Sequence, residues 1–375
     1  MPILLLISLL IFSATASADN LPPVPTLAAK AYLLREFGSN TIIAQQGAHE
    51  RIEPASLTKL MTAYLSFNAL KNGQLTLKQT LPVSLKAWKA EGSRMFIAPD
   101  IPVTVDELLQ GMIIQSGNDA SIALAEGIAA SEDAFAALMN SEAARLGMKE
   151  THFMNATGLP DPNHYTTVYD LSLLAAALIR NFPEQYQRLY SVKEFTYNKI
   201  KQHNRNRLLW VDPYVDGMKT GHTEAAGYCL IASARHGSMR LISVVVGTPS
   251  EDTRAMESQK LLNYGFMNYE ARVIYKQGQP ITKLRVWKGH EEELSATVDH
   301  DLWVTLPKGQ YAKLSASVVS RQPLIAPIVK GQEVGVIRFS LDGKALLERK
   351  LVASQEVLVA GIFGRLWDSL KLMLR

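Results

Sequence analysis

Two residues near the start of the chain have the types and the spacing of a nucleophile and its base. Ser56 and Lys59 stand in the segment Pro-Ala-Ser-Leu-Thr-Lys (54–59), and the apolar-rich residues 60–65 after it contain no Gly or Pro. This composition predicts a helix that begins around Ser56, so the two side chains share one face. A serine hydroxyl becomes nucleophilic when a neighbouring base takes its proton, and free N–H groups at a helix N-terminus stabilise an oxyanion. The pair alone is equally compatible with an N-cap serine and a solvated lysine.

Two further short motifs follow along the chain. Ser116-Gly117-Asn118 lies in a predicted loop between two helices, and Lys219-Thr220-Gly221 begins a run of predicted strands. Ser-x-x-Lys and Lys-Thr-Gly each occur once in the sequence. Ser-x-Asn occurs twice, but the other copy, at 66–68, falls inside the first predicted helix. The motifs in this order are therefore a far more specific signal than any one of them.

Together these motifs resemble the penicillin-recognising serine acyl transferases, which include the class A β-lactamases and the penicillin-binding proteins. Further segments are similar to the low-molecular-mass penicillin-binding proteins, the D-alanyl-D-alanine carboxypeptidases. They are the whole of 54–59, Phe-Met-Asn-Ala-Thr-Gly-Leu at 153–159, Tyr-Thr-Thr at 165–167 before Asp170, and His222 after Lys-Thr-Gly. The resemblance covers nearly the whole chain after its N-terminal segment. It implies a periplasmic enzyme without a cofactor that removes the terminal D-alanine from peptidoglycan stem pentapeptides and is acylated by β-lactam antibiotics.

The resemblance implies catalytic roles for the residues of the first two motifs. Ser56 is expected to attack the carbonyl between the last two D-alanines, with Lys59 as its base. A free lysine has a pKa of about 10.4, so a neutral Lys59 at pH 7 needs a shift of about 3 units, or ~4 kcal/mol. Burial and a second cation, for which Lys219 is the candidate, lower the pKa in this way. Ser116 is expected to relay the proton to the leaving amine, and Asn118 to hold Lys59 or the substrate amide.

The residues of the third motif are expected to bind the substrate. Lys219 and Thr220 would bind its terminal carboxylate, and Gly221 would let its backbone approach the strand. By the same resemblance, the backbone N–H groups of Ser56 and His222 would form the oxyanion hole.

Three other residues match the family with less definite roles. Arg205 and Arg254 correspond to arginines near the carboxylate end of the site, although a solvated surface position is the alternative for both. Asp170 is expected to support the site or to have a purely structural role.

Three alternative functions share parts of this pattern. A class A β-lactamase also needs a glutamate that activates the deacylating water, usually in Glu-x-x-x-Asn, and we interpret the chain between the second and third motifs as lacking one. A DD-endopeptidase that cuts peptidoglycan crosslinks would use the same site residues, so only substrates distinguish it. A non-catalytic wall-binding protein is disfavoured because all the motif side chains are intact.

Composition excludes several other classes of function. The formal net charge of the 375-residue chain is +4, and its basic residues are spread out, so nucleic acid is not an expected partner. Cys229 is the only cysteine, which rules out an internal disulfide and a cysteine-based zinc site. The eight histidines form no metal-binding motif, so no metal is expected.

The N-terminus is predicted to be a cleaved signal peptide, residues 1–18. An apolar stretch at 4–12 precedes Ala16-Ser17-Ala18, which fits the small-x-small cleavage rule. A membrane anchor is the alternative, but this stretch is shorter than the roughly 20 apolar residues that span a bilayer.

The predicted elements that position the motifs indicate an α+β fold. Strands at 29–37 and 41–45, and again at 228–235 and 239–247, predict an antiparallel sheet built from both ends of a domain. A helical block lies between them, and a capping box at Thr104 opens one of its helices. We therefore predict a β-lactamase/transpeptidase-like domain over 19–270.

The pattern changes in the last hundred residues. Short strands separated by turns predict a small β-sandwich domain over 271–353. Residues 354–375 are predicted to be an amphipathic helix with a basic polar face, suited to a membrane interface. Docking of this helix on the β domain is the alternative.

Overall fold

The computed structural model describes residues 21–374, so the predicted signal peptide lies outside the described residues. Helices and strands alternate through the first two thirds of this range, and strands dominate the rest. The strands are β1 (Ala31–Glu36), β2 (Ile42–Gln46), β3 (Thr80–Leu81), β4 (Val103–Thr104), β5 (Glu194–Tyr197), β6 (Ile200–His203), β7 (Val215–Thr223), β8 (Gly227–His236), β9 (Met239–Thr248), β10 (Tyr269–Tyr275), β11 (Thr282–Trp287), β12 (Glu293–Thr297), β13 (Leu302–Pro307), β14 (Leu314–Ser320), β15 (Leu324–Ile325), β16 (Glu333–Leu341) and β17 (Lys344–Ala353). The helices are α1 (Lys59–Lys71), α2 (Leu85–Trp88), α3 (Val105–Ile114), α4 (Asn118–Ala129), α5 (Glu132–Arg145), α6 (Val168–Asn181), α7 (Pro183–Leu189), α8 (Leu208–Val211), α9 (Glu251–Asn268) and α10 (Ile362–Met373), with short 3-10 turns at Ala55–Thr58 and Tyr311–Lys313.

The first domain is organised on a five-stranded antiparallel sheet in the order β2-β1-β9-β8-β7. Strands from the beginning and the end of the domain pair directly, because β1 lies antiparallel to β9. The sheet is buried on both sides: α6 packs against one face, and α9 covers the other. Its last strand, β7, is an edge strand that carries the Lys-Thr-Gly motif. An edge strand presents backbone N–H and C=O groups to whatever lies beside it, which makes it a template for binding an extended chain.

Side-chain caps set the starts of several helices in the helical block. The Thr104 hydroxyl accepts a hydrogen bond from the Glu107 N–H while the Glu107 carboxylate accepts one from the Thr104 N–H, so the predicted capping box is confirmed. The Thr167 hydroxyl accepts a hydrogen bond from the Asp170 N–H and so caps α6, which begins at Val168. The predicted α+β fold, with a transpeptidase-like domain followed by a β domain, is confirmed.

The β domain has its own core and joins the first domain through a polar contact. A six-stranded sheet in the order β14-β16-β17-β12-β11-β15 lies beside the pair β10-β13. At the junction, the buried Glu36 carboxylate accepts hydrogen bonds from the Ser39 N–H at 2.7 Å and from the Thr305 hydroxyl at 3.0 Å. The Trp303 ring packs directly on Gly38, where a Cβ would lie 2.7 Å from it. One buried carboxylate therefore ties the two domains together.

The C-terminal segment differs from its predicted form. Residues 354–361 are not helical, because Val357 pairs with Ile328 and Val359 pairs with Gly289 at the edge of the β domain. The amphipathic helix, α10, begins at Ile362, with its apolar side chains exposed: Phe363 is 89% and Trp367 60% accessible. Among residues 21–374, no helix combines the length and the hydropathy that crossing a bilayer requires.

Candidate active site

The Ser-x-x-Lys motif lies where a 3-10 turn leads into a helix. Ser56 is in the turn Ala55–Thr58, and Lys59 is the first residue of α1. The Lys59 Nζ lies 2.9 Å from the Ser56 Oγ, so the amine and the hydroxyl are in direct hydrogen-bond contact. Lys59 is 1% exposed, whereas Ser56 faces an open cavity. This is the geometry of an accessible nucleophile with its base buried behind it.

The surroundings of Lys59 favour an uncharged amine. Burial, and then repulsion from Arg205, lower the pKa of Lys59 from its usual 10.5 to about 7. A shift of the predicted size therefore has burial as its main cause, and Arg205 is a cation that adds to it. Burial also lowers the pKa of Lys219, and repulsion between the two lysines adds to this effect.

Two acceptors besides the serine fix the position of the Lys59 amine. Its Nζ donates to the Asn118 Oδ1 at 2.6 Å and to the Thr157 carbonyl at 2.6 Å. The Asn118 amide orientation is determined, because its Nδ2 donates to the Glu91 carbonyl at 2.6 Å. An Oδ1 and a carbonyl can only accept, so the amine must give a hydrogen to each. Of the two roles predicted for Asn118, holding Lys59 is the one that the geometry supports.

The Thr157 carbonyl belongs to a tight turn that the sequence reasoning did not identify as functional. The Asn155 Oδ1 accepts from the Thr157 N–H at 3.1 Å and from the Gly158 N–H at 2.7 Å, which holds the turn closed. Gly158 has φ +84°, and a Cβ on it would lie 1.8 Å from the Ala55 carbonyl oxygen. Only glycine fits at this contact between the turn and the nucleophile segment. In the sequence, only the Gly in the segment 153–159 indicated this close contact.

Ser116 and Lys219 meet from opposite walls of the cavity. The Lys219 Nζ donates to the Ser116 Oγ at 2.9 Å and to the Thr220 carbonyl at 2.8 Å. Ser116 has φ +68°, which turns the loop before α4 so that its hydroxyl enters the cavity. Asp119, three residues after Ser116, fixes this loop because its carboxylate accepts hydrogen bonds from the N–H groups of Met95 and Phe96. The sequence reasoning missed the role of Asp119.

The edge strand β7 forms the wall opposite the nucleophile turn. A Cβ on Gly221 would lie 3.2 Å from the Pro54 carbonyl oxygen and 3.3 Å from the Ala55 Cβ, so strand and turn are adjacent. His222 is exposed, and its ring stacks on Tyr228 with centroids 4.0 Å apart. The side chain of His222 therefore lies at the rim of the cavity, beside Tyr228.

The two predicted arginines have different surroundings. Arg254 is 3% exposed; its guanidinium donates to the Gly221 carbonyl at 3.4 Å and pairs with Glu251 at 3.2 Å. Burial lowers its pKa. Arg205 is exposed but also lines the cavity. Asp170 lies elsewhere: its carboxylate accepts from the Glu150 N–H and the Thr151 hydroxyl, which is a structural contact.

These groups enclose a cavity of about 380 Å³. Of the residues predicted to be catalytic or to bind the substrate, all line it except the two lysines, which are buried in its walls. Its lining side chains include a single carboxylate, Glu251, which pairs with Arg254. Within residues 21–374, no group of three or more His, Cys, Asp and Glu side chains is arranged to hold a metal.

One sequence interpretation was wrong. A Glu-x-x-x-Asn spacing does occur between the second and third motifs, at Glu194 and Asn198. Glu194 lies in strand β5, is exposed, and pairs with Lys201 at 2.8 Å. It does not line the cavity, so it cannot activate a deacylating water there.

Comparison with known proteins agrees with this geometry. The sequence profile described as D-alanyl-D-alanine carboxypeptidase matches residues 15–250, and that of the penicillin-binding protein 5 C-terminal domain matches 269–358. The chain is 43% identical over 369 residues to D-alanyl-D-alanine carboxypeptidase DacC of Escherichia coli, covering 96% of this chain and 92% of the relative.

Solved structures extend the comparison. The structure of penicillin-binding protein 5 from Haemophilus influenzae matches with a TM-score of 0.86 and 40% identity, over 89% of this chain and 98% of that one. Ampicillin-bound penicillin-binding protein D2 from Listeria monocytogenes matches with a TM-score of 0.60 and 31% identity, over 65% of this chain and 99% of that one. The prediction made from the three motifs is confirmed: the chain belongs to the D-alanyl-D-alanine carboxypeptidase family of serine hydrolases.

Proposed function

We propose that the chain removes the terminal D-alanine from peptidoglycan stem pentapeptides through an acyl-enzyme on Ser56. The observation that carries the proposal is the hydrogen bonding of the Lys59 amine. A neutral amine has two hydrogens and one lone pair, and Asn118 and Thr157 take the two hydrogens. The lone pair then points to the Ser56 hydroxyl, 2.9 Å away, and accepts its proton. A protonated Lys59 would have no lone pair for this step.

The reaction then follows from the positions of the groups. The Ser56 Oγ bonds to the carbonyl carbon of the penultimate D-alanine while its proton moves to Lys59. The oxyanion that forms is stabilised by the backbone N–H groups of Ser56 and His222. The C–N bond breaks as the proton passes through the Ser116 Oγ to the leaving amine of D-alanine. Water then attacks the acyl-enzyme, with Lys59 again as base, and restores the free serine.

The substrate's terminal carboxylate is proposed to lie among the cations of the β7 wall. Lys219 and Arg254 are buried there, with Arg205 at the surface and the Thr220 hydroxyl in the cavity. A carboxylate favours the charged form of a neighbouring amine, so substrate binding is expected to raise the pKa of Lys219. A Cβ on Gly221 would crowd the nucleophile turn at Pro54 and Ala55, so glycine keeps the edge strand close to Ser56, where the substrate backbone can pair with it.

Substitution of the nucleophile tests the proposal. Ser56→Ala is expected to abolish both D-alanine release from a pentapeptide muropeptide and covalent labelling by a fluorescent penicillin. Ser66→Ala is the matched control, because Ser66 lies in α1 and its hydroxyl donates only to the Thr62 carbonyl. A labelled Ser56→Ala protein would show that another residue is the nucleophile. Products identified by mass from a crosslinked dimer distinguish a carboxypeptidase from an endopeptidase.

Attachment to a membrane surface is the second part of the proposal. We infer that the chain is exported by residues 1–18 and held on the outer face of the inner membrane by α10. The apolar side chains of α10 are exposed, and Asp368 on its other side accepts a hydrogen bond from the Lys288 N–H at 2.6 Å. The apolar face is thus directed away from the β domain, which favours a membrane over docking on the protein. We also propose that the two domains span residues 19–270 and 271–353.

Truncation tests the attachment. Removal of residues 362–375 is expected to leave D-alanine release unchanged and to transfer the protein from sedimented membranes to the supernatant. Continued sedimentation of the truncated protein with membranes would contradict the role of α10.

A further inference from the structure

A second cavity of about 460 Å³ adjoins the catalytic one. Thr157 and Leu159 line both cavities, so the two lie side by side at the turn that holds Lys59. The other walls of the second cavity are largely apolar, with Leu85, Ala90 and Ile122 among them. An apolar cavity beside a catalytic cleft is a candidate for an extended substrate site.

The short helix α2 forms one side of this second cavity and is held firmly. The Ser84 hydroxyl accepts a hydrogen bond from the Ala87 N–H and donates to the Glu126 carboxylate of α4 at 3.0 Å. Leu85, at the start of α2, is 64% exposed and lines the cavity. Because α2 is attached at its N-terminus to a buried helix, the residues that follow it are presented from a fixed support.

Two lysines lie at the rim of the second cavity, and only one of them is neutralised. The Lys86 Nζ pairs with the Glu132 carboxylate at 2.8 Å, which raises the pKa of Lys86. Lys89 also lines the cavity; its side chain is exposed and forms no ion pair with any residue in the described part of the chain. The second cavity therefore offers apolar walls and one positive charge that the protein does not compensate.

The direction in which the substrate runs determines which part of it reaches this cavity. The cations Lys219, Arg205 and Arg254 surround the β7 side of the cleft, where the terminal carboxylate is proposed to bind. The Thr157–Leu159 side has no cation among the residues that line the catalytic cavity. With the carboxylate bound there, the acyl portion of the peptide, on the other side of the scissile bond, is directed toward Thr157 and Leu159.

We infer that the cavity beside α2 is a specificity subsite for the acyl portion of the substrate, in which Lys89 pairs with a carboxylate upstream of the scissile bond. The inference rests on the proposed function and adds to it the chemistry of the substrate that the site prefers: an acidic peptide rather than a neutral one. The apolar walls contact the aliphatic part of the substrate residue that carries this carboxylate.

Two peptides that differ in one carboxylate test this subsite. The neutral peptide is a diacetyl-lysyl-D-alanyl-D-alanine, and the acidic peptide carries a γ-linked glutamyl residue before the lysine. Lys89→Gln is expected to lower kcat/KM for the acidic peptide roughly three- to five-fold, which is the effect of an exposed ion pair, through KM rather than kcat. Turnover of the neutral peptide is expected to be unchanged. Lys89→Glu should enlarge the loss for the acidic peptide alone, and added salt should reduce the difference between variants.

Lys78→Gln is the matched control, since Lys78 is an exposed lysine that lines neither cavity. Equal losses for both peptides in the Lys89 variants, or no loss for the acidic one, would overturn the subsite. A wild-type chain that cleaves neither peptide would contradict the proposed function and this inference with it. Cleavage of both peptides at equal rates by all variants would overturn the subsite and leave the proposed function intact.

Discussion

The two walls of the catalytic cavity each contain a buried lysine, and the two amines have different partners. On the α1 wall, Lys59 donates to two groups that can only accept, the Asn118 Oδ1 and the Thr157 carbonyl. On the β7 wall, Lys219 donates to one carbonyl and to the Ser116 hydroxyl, which can also donate. Burial lowers the pKa of both amines. Burial alone therefore does not distinguish a base from a cation that binds the substrate.

The difference lies in what each amine can still do after its hydrogen bonds are made. Lys59 has its two hydrogens committed within the protein, so its lone pair is directed to Ser56. Lys219 is close to Arg254 and Arg205, and the repulsion among these cations is relieved when an anion arrives. One wall is thus arranged for proton transfer and the other for a negative charge.

Substitution of Lys59 should have the largest effect on this comparison. A guanidinium stays protonated at every relevant pH, so Lys59→Arg keeps the positive charge and removes the base. We expect acylation by a fluorescent penicillin and D-alanine release to fall by about 10²- to 10⁴-fold, the usual contribution of a general base. Lys71→Arg, at the exposed end of the same helix, is the control. A Lys59→Arg enzyme with more than a tenth of wild-type activity would place the base elsewhere.

Substitution of Lys219 should have a smaller effect that depends on the substrate. A hydrogen bond to a charged group contributes about 1.5–3 kcal/mol, so Lys219→Gln should lower kcat/KM for a D-Ala-D-Ala peptide roughly 10- to 100-fold. The same peptide with a C-terminal amide has no carboxylate to lose and should be affected much less. Equal losses for the free acid and the amide would show that Lys219 acts on catalysis rather than on carboxylate binding.

The sequence was sufficient for the parts of the site that are made by side chains in short motifs. Ser56 and Lys59 share a helix turn, so their contact follows from local geometry alone. The sheet built from both ends of the domain was predicted from strand-like segments bounded by turn residues, and the capping box at Thr104 from its spacing. In each case the residue types themselves indicate the interaction.

The parts that the sequence did not indicate depend on main-chain atoms or on distant partners. The Thr157 carbonyl holds Lys59, but every residue has a carbonyl, so its residue type does not indicate this role. Only the glycine at 158 indicates that the turn lies close to Ala55. Residues 356–361 continue an apolar helical pattern, yet Val357 is buried against the β domain and pairs with Ile328. A periodic pattern contains no information about a partner as distant in the chain as Ile328, so tertiary pairing overrode the local preference.

The dependence of activity on pH sharpens the comparison between the two walls. Because the pKa of Lys59 is about 7 in the free enzyme, kcat/KM should rise about tenfold between pH 6 and pH 8 as the amine loses its proton. Lys219 must be protonated to bind a carboxylate, so it is expected to cause a falling limb, although burial and repulsion from Lys59 lower its pKa as well. Lys219→Gln should therefore remove the falling limb and leave the rising one in place.

Arg205→Gln should move both limbs to higher pH, because Arg205 also lowers the pKa of Lys219 by repulsion. Arg205 lowers the pKa of Lys59 by repulsion, so its removal should move the rising limb to higher pH. This shift of the rising limb is expected to be small, because burial is a larger cause of the low pKa of Lys59 than Arg205 is. If the rising limb moves more in Lys219→Gln than in Arg205→Gln, Lys219 rather than Arg205 is the main cation that lowers the pKa of Lys59, and the assignment of separate roles to the two walls fails.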